Sequence, residues 1–434
     1  MSHLALIVYN FLLILGLFLL FPFWVGYLAL VPKARAGFWE KLGHYPPDLL
    51  SRLNQRIPGK KRVWFHAVSV GEFNAIRTLI PELKQEFDVV ISTTTRTGHD
   101  LAQRTFPDLP VLYFPYDFRA VIQKALDTVR PDLVVIAETE LWPNMVDMTT
   151  RANHLPLLLI NGRLSQHSYR GYRWIRFLIK PCLRQISHLY IQSQADAERF
   201  KQLGGLSPEQ YTVAGNLKFD LTPTVDPTKR AILKHLLNVQ DDDDTVLTYA
   251  STHSGEDLPL VETYIQLKKD FPELKLILAP RHPERLPEIK TILNSKALSY
   301  AVRSQLSENN PNQQPIVVLD SIGELLTVYS FSRVAVMGGS FVEKGGQNPL
   351  EPLSQRVPVI FGPHMHNFAE ISRMVLEAQA GYQVKNQQEL ANAVTGLLTQ
   401  PEVHDIVAEH GQRLIENNRG AKEIIGSAIR RYLI

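Results

Sequence analysis

A chain of 434 residues is about three times the ~150-residue size of a common domain, so two or three domains are expected. Hydrophobic residues at 45% and charged residues at 21% exclude a disordered chain, and a single cysteine, Cys182, excludes a disulfide framework or a cysteine-built metal centre. The net charge of +3, with Lys and Arg spread along the chain, argues for no nucleic-acid partner.

Leu4 to Val31 is uncharged and rich in Leu, Phe, Ile and Val, longer than the ~20 residues with which a helix crosses a bilayer. Lys33, Arg35 and Lys41 follow it, which by the positive-inside rule directs the rest of the chain to the cytoplasm. Residues 1–32 are therefore expected to form a membrane anchor, with Trp24, Tyr27 and Trp39 at the interface. A buried core helix, or an in-plane helix broken near Pro22, is the alternative.

From Arg62 onward, short β-branched or aromatic runs alternate with amphipathic stretches. Strands are expected at Val63–Val68, Asp88–Thr93, Val111–Phe114, Leu133–Ala137, Leu157–Ile160 and Leu189–Gln192. Phe73, Ile76, Leu79, Ile80 and Leu83 repeat at helical spacing between the first two. Residues 219–244, with Pro223, Pro227 and the Asp241–Asp244 run, read as a linker. Strands resume at Val246–Ala250, Leu274–Ala279, Ile316–Leu319, Val334–Met337 and Val357–Phe361. Alternating β and α with continuous apolar strands predicts parallel sheets covered on both faces. Two doubly wound α/β domains, 33–218 and 245–420, are expected to face a cleft, with a final helix over 421–434 packing back on the first.

Polar residues gather after the strands, where such folds bind ligands. Glu72 opens a helix, as a general base or as an ordinary capping glutamate. Glu138-Thr139-Glu140-Leu141-Trp142-Pro143-Asn144 brings two carboxylates to a strand end, as a site or as exposed loop charges. Thr93–Gly98 and Asn161–Ser165 follow other strands; Lys218, after Gly215-Asn216-Leu217, sits where the first domain ends and is placed to reach the cleft, a solvated lysine being its plain reading. In the second half, Ser251-Thr252-His253, Pro280-Arg281-His282-Pro283, Asp320–Glu324, Gly338-Gly339-Ser340 and Gly345–Pro352 suit an anion or nucleotide, because glycine beside a helix start exposes backbone N–H groups. No GxxxxGK[ST] or HExxH motif is present, and His253, His282, His364 and His366 are too scattered for metal spacing, so a metal-independent reaction is expected.

The segments HAVSVGE (66–72), ETELWPN (138–144), GNLKFD (215–220), PRHPER (280–285) and GGSFVEKGGQNPLEP (338–352) together resemble 3-deoxy-D-manno-octulosonic acid (Kdo) transferases specific for lipid A. The resemblance runs from the N-terminal segment to GPHMHNF (362–368). It implies a GT-B glycosyltransferase of two Rossmann-like domains. Such enzymes move Kdo from CMP-Kdo to the glucosamine disaccharide of a lipid A precursor, with inversion, at the cytoplasmic face of the inner membrane. Carried over, Glu72 is the base, and Lys218 with the Glu138–Glu140 segment stabilises the transition state, Glu140 being favoured over Glu138. Pro280, Arg281, Ile322, Gly323, Glu324, Asn348, Pro349, Leu350 and Glu351 match CMP contacts, with no cofactor and no metal. Gln347 stands where the family pattern has His. A UDP-sugar transferase with another lipid acceptor and a catalytically silent, tethered nucleotide-binding module are the rival readings. A Rossmann oxidoreductase is disfavoured by the lack of G-x-G-x-x-G after the first strand.

Overall fold

The computed structural model describes residues 3–30, 35–221, 225–240 and 245–433, without the side chains of residues 3–4, 22–30 and 221. Lys33, the Trp24 and Tyr27 side chains and the run 241–244 thus lie outside the described residues. The chain divides into two compact units, residues 1–221 with 418–434, and residues 222–417.

The first unit is built on a seven-stranded parallel sheet: β1 Arg62–His66, β2 Asp88–Thr93, β3 Val111–Tyr113, β4 Leu133–Ala137, β5 Leu157–Gly162, β6 His188–Ile191 and β7 Tyr211–Val213, in the order β3-β2-β1-β4-β5-β6-β7. Successive side chains of a strand point to opposite faces. Val63 and Phe65 accordingly enter one core while Trp64 enters the other. Arg62, fully buried, binds Asp88 at 2.7 Å and the carbonyls of Leu53 and Val129 at 2.8 Å, which satisfies its charge inside the sheet.

The second unit repeats the plan with β8 Val246–Thr252, β9 Lys275–Pro280, β10 Tyr300–Val302, β11 Ile316–Val318, β12 Val334–Met337, β13 Val359–Phe361 and β14 Gly381–Gln383, in the order β10-β11-β9-β8-β12-β13-β14. In both sheets the strand order reverses beside the first strand, between β1 and β4 and between β8 and β12. Those switch points are where loops diverge and leave room for a ligand.

Three strands escaped the sequence reading, β7, β10 and β14. Each has three residues, only partly buried, and so lacks the continuous apolar run that marks the equally short β3, β11 and β13. The helical stretch after β1 is two helices, Val70–Ile76 and Ile80–Glu86. Pro81 lacks the N–H that would continue the first. Within the stretch read as a linker, Pro227–Leu237 is a helix capped by Asp226, and Leu233 and Leu237 join the core under β9 and β11.

The N-terminal segment forms a helix from His3 to Leu30, which runs on through position 22 rather than breaking there. Among the described residues no helix is long and apolar enough to cross a membrane. The last helix, Ala421–Leu433, lies in the first unit, with Ile425 and Ile429 in the core beside Val63 and Phe65.

Candidate functional site

At the switch point of the first unit, β1 runs into Ala67–Ser69 and the helix Val70–Ile76, whose first turn carries Glu72. The carboxylate leans back on its own loop: Val68 N–H donates to Oε2 at 2.6 Å. Oε1 has only a long contact with the Ser69 hydroxyl, at 3.5 Å. The two oxygens of one side chain thus differ: Oε2 is bonded to the loop backbone, and Oε1 is held only loosely. Burial, then the neighbouring charge of Glu138, pushes the Glu72 carboxyl up to about 8, against the pull of the Val68 N–H and of Lys218.

Across the switch, β4 is followed at once by Glu138, a non-glycine residue with φ of 57°. Backbone in that region costs on the order of 1–3 kcal/mol and is found where a side chain must be aimed. Its carboxylate meets Lys218 Nζ at 3.2 Å. Glu140 turns elsewhere, accepting the Trp142 indole N–H at 3.0 Å. Burial raises its carboxyl to about 7 despite that bond. Of the two glutamates, Glu138 is thus the one paired with Lys218.

Lys218 is delivered by a relay of buried amides. Asn161, also at positive φ, accepts Leu217 N–H on its side chain at 3.0 Å and the Gln192 amide on its carbonyl at 2.9 Å. Gln192 accepts the Asn216 amide at 3.0 Å, and Asn216 accepts Lys218 N–H at 3.0 Å. Gln192 was read as a strand residue; the signal was an amide side chain at a strand's C-terminal end. Thr94 and Thr95 donate their N–H groups to the Val68 carbonyl at 3.2 and 3.1 Å, which ties the Thr93–Gly98 loop to the base of Glu72.

The charge layout has a testable consequence. Glu138→Gln removes a neighbour that raises the Glu72 pKa, so the acid limb of the pH–rate profile moves below 8. Lys218→Met removes a neighbour that lowers it, so the limb moves up. Equal profiles for both variants and the parent would disconnect these three groups.

In the second unit a cavity of about 260 Å³ opens at the C-terminal ends of β8, β9, β11 and β12. Pro280, Arg281, Ile322, Gly323, Asn348 and Glu351 line it, as the resemblance implies. Glu324, Pro349 and Leu350 do not. Glu324 holds Arg303 at 2.8 Å and accepts the Ser321 hydroxyl; Pro349 caps a short helix; Leu350 is buried in the core.

Ser251 also lines the cavity, at a β-bulge in β8 and with φ of 57°. A Cβ at Gly338 would stand 2.5 Å from the Ser251 carbonyl oxygen. Gly338→Ala therefore forces β8 and β12 apart, at a cost of ~1–3 kcal/mol, and the melting temperature should fall together with nucleotide affinity. Glu256, missed in the sequence, orders the same turn: its buried carboxylate accepts His253 N–H at 2.7 Å and Gly339 N–H at 2.6 Å. Gln347 reaches His253 Nε2 at 3.1 Å. Burial, then the charges of His282, Arg285, Lys344 and Arg281, holds His253 below the usual imidazole range. That describes an electropositive spot suited to an anion. Among the described residues no group of three or more His, Cys, Asp or Glu is arranged to hold a metal ion.

Two parallel α/β units with polar residues at both switch points define the GT-B-like class. A crystal structure of UDP-GlcNAc 2-epimerase from Neisseria meningitidis bound to UDP-GlcNAc covers 85% of this chain and 100% of its own, with a TM-score of 0.55 at 12% identity, which speaks for the fold alone. The family model for 3-deoxy-D-manno-octulosonic-acid transferase matches residues 36–221. A 3-deoxy-D-manno-octulosonic acid transferase of Haemophilus influenzae is 34% identical over 407 residues, 93% of this chain and 92% of that protein. One from Chlamydophila psittaci is 28% identical over 427 residues, 96% and 95% of the two chains. The chain belongs to the Kdo transferase family.

Proposed function

We propose that the protein transfers Kdo from CMP-Kdo to a sugar hydroxyl of a lipid A precursor in lipopolysaccharide biosynthesis, inverting the anomeric carbon and using no metal. The observation that carries this reading is the half-buried Glu72 carboxyl, raised to about 8 beside the Glu138–Lys218 pair. A base in that range takes a proton efficiently near neutral pH. Glu72 Oε1 removes the proton from the acceptor hydroxyl, whose oxygen forms a bond to the anomeric carbon. The bond from that carbon to the phosphate oxygen breaks, and CMP leaves. A nucleoside monophosphate needs less charge neutralised than a diphosphate, and Arg281, with the N–H groups of the glycine-rich turns, supplies it by preorganised electrostatics. Lys218, held by Glu138, adds a fixed cation on the acceptor side. The apolar helix His3–Leu30 keeps the enzyme at the cytoplasmic face of the inner membrane, where the acyl chains of the acceptor reside.

The test uses purified protein in detergent, CMP-Kdo generated in situ, a tetraacylated lipid A precursor and EDTA, with products read by mass spectrometry. A Kdo-sized increment is expected, and the number of increments gives the number of sugars added. A melting temperature raised by a UDP-sugar and not by CMP would overturn the donor, since a ligand stabilises the state it binds.

A further inference from the structure

The helix His3–Leu30 is pinned to the first unit by polar bonds. Tyr9 donates its hydroxyl to Asp117 at 2.8 Å. Asn10 and Asn144 exchange side-chain amide bonds at 3.0 and 2.9 Å. Asp117 in turn accepts the N–H groups of Asn144 and Met145 at 3.0 and 2.8 Å, so this turn of the helix is locked to the end of the ETELWPN motif.

Alongside it, a cavity of about 700 Å³ has two unlike walls. Ile7, Phe11 and Ile14 of the helix form one, exposed by 61%, 62% and 62%. Arg119, Asp147 and Arg151 form the other. Arg119 meets Asp147 at 2.6 Å and Arg151 meets the same carboxylate at 3.8 Å, so among these three side chains two guanidiniums share one carboxylate. The helix also packs against Arg176–Gln185, beside which Trp174 and Phe177 stand 88% and 55% exposed among Arg173, Arg176 and Lys180. Apolar exposure on this scale marks a surface that meets another phase. An apolar wall facing a cationic one fits an acyl chain joined to a phosphate, and anionic lipid is drawn to each Lys or Arg at such a surface.

We propose that this groove binds one anionic phospholipid of the bilayer, its acyl chain along Phe11 and Ile14 and its phosphate on Arg119 and Arg151. This goes beyond Kdo transfer, and its test reads lipid retention alone, so it holds or fails independently of that reaction. The full-length protein in neutral detergent is titrated with phosphatidylglycerol or phosphatidylcholine and examined by native mass spectrometry. One phosphatidylglycerol should be retained, preferred by at least about fivefold. The double variant Arg119→Gln, Arg151→Gln should lose the preference. Asp147→Asn, which removes the shared negative charge, should increase it. Equal retention of the two lipids by the parent, or a preference unmoved in both variants, overturns the proposal. Displacement of phosphatidylglycerol by an equimolar lipid A precursor also overturns it, assigning the groove to the acceptor.

Discussion

Glu72→Gln is expected to lower Kdo transfer by roughly 10²–10⁴-fold, the usual worth of a positioned general base, while the dissociation constant for CMP stays unchanged. The amide keeps the size of the side chain and can take no proton. Turnover retained in a folded Glu72→Gln protein would remove Glu72 as the base. The same substitution carries a stability signature. The folded-state carboxyl sits at about 8 against an ordinary 4.5, so the folded chain binds the extra proton across that window. Stability is then lost as pH rises from 4.5 through 8, and the penalty is complete above it. Glu72→Gln abolishes that penalty. Its melting temperature should exceed the parent's at alkaline pH and match it below pH ~4. Loss of activity with a gain in alkaline stability distinguishes a strained catalytic carboxyl from a cap, whose removal destabilises at every pH.

Arg281→Ala is the second large effect. Arg281 lines the cavity of the second unit at the end of β9, and a guanidinium bonded to phosphate is worth ~1.5–3 kcal/mol, or roughly 10–100-fold in the dissociation constant for CMP. The loss should shrink at high salt, where the parent's own advantage is screened. Arg285, four residues on in the same motif, serves as the control. It donates to the Thr252 carbonyl at 2.9 Å, meets Glu288 at 3.0 Å and pairs with the buried Asp257. Arg285→Ala should therefore lower the melting temperature, whereas Arg281→Ala leaves it intact. Unchanged CMP binding in Arg281→Ala would count against the donor pocket.

Strong signals were legible in the sequence because they are local. Leu133–Ala137 and Val334–Met337 begin and end where their apolar runs do, since a strand buried on both faces is made mostly of apolar residues. Arg281 stood out because it follows the apolar run of β9 directly, and Glu72 because it lies in the first turn of the helix after β1. Partnership was not legible. Glu138 and Glu140 differ by one turn of extended chain, and only the left-handed backbone at Glu138 sends its carboxylate to Lys218 while Glu140 goes to Trp142. Gln192 and Glu256 act through bonds to residues far along the chain, which no local pattern encodes. Glu324 shows the opposite: it sits beside two lining residues, yet its carboxylate is bonded to Arg303, a partner no local pattern reveals.

The last helix, Ala421–Leu433, makes the first unit a structure assembled from both ends of the chain. Asp220 accepts Gly420 and Lys422 N–H at 2.8 and 2.9 Å, and Arg430 grips Glu86 at 2.7 Å, so the junction is bonded as well as buried. On the ribosome, the contiguous second unit can fold once residue 417 has emerged, while the unit begun first must wait with part of its core open. During synthesis the order of completion is thus reversed relative to the order of translation. The waiting unit is the one that bears the apolar N-terminal helix, and it is this intermediate that chaperones or the bilayer would have to shelter.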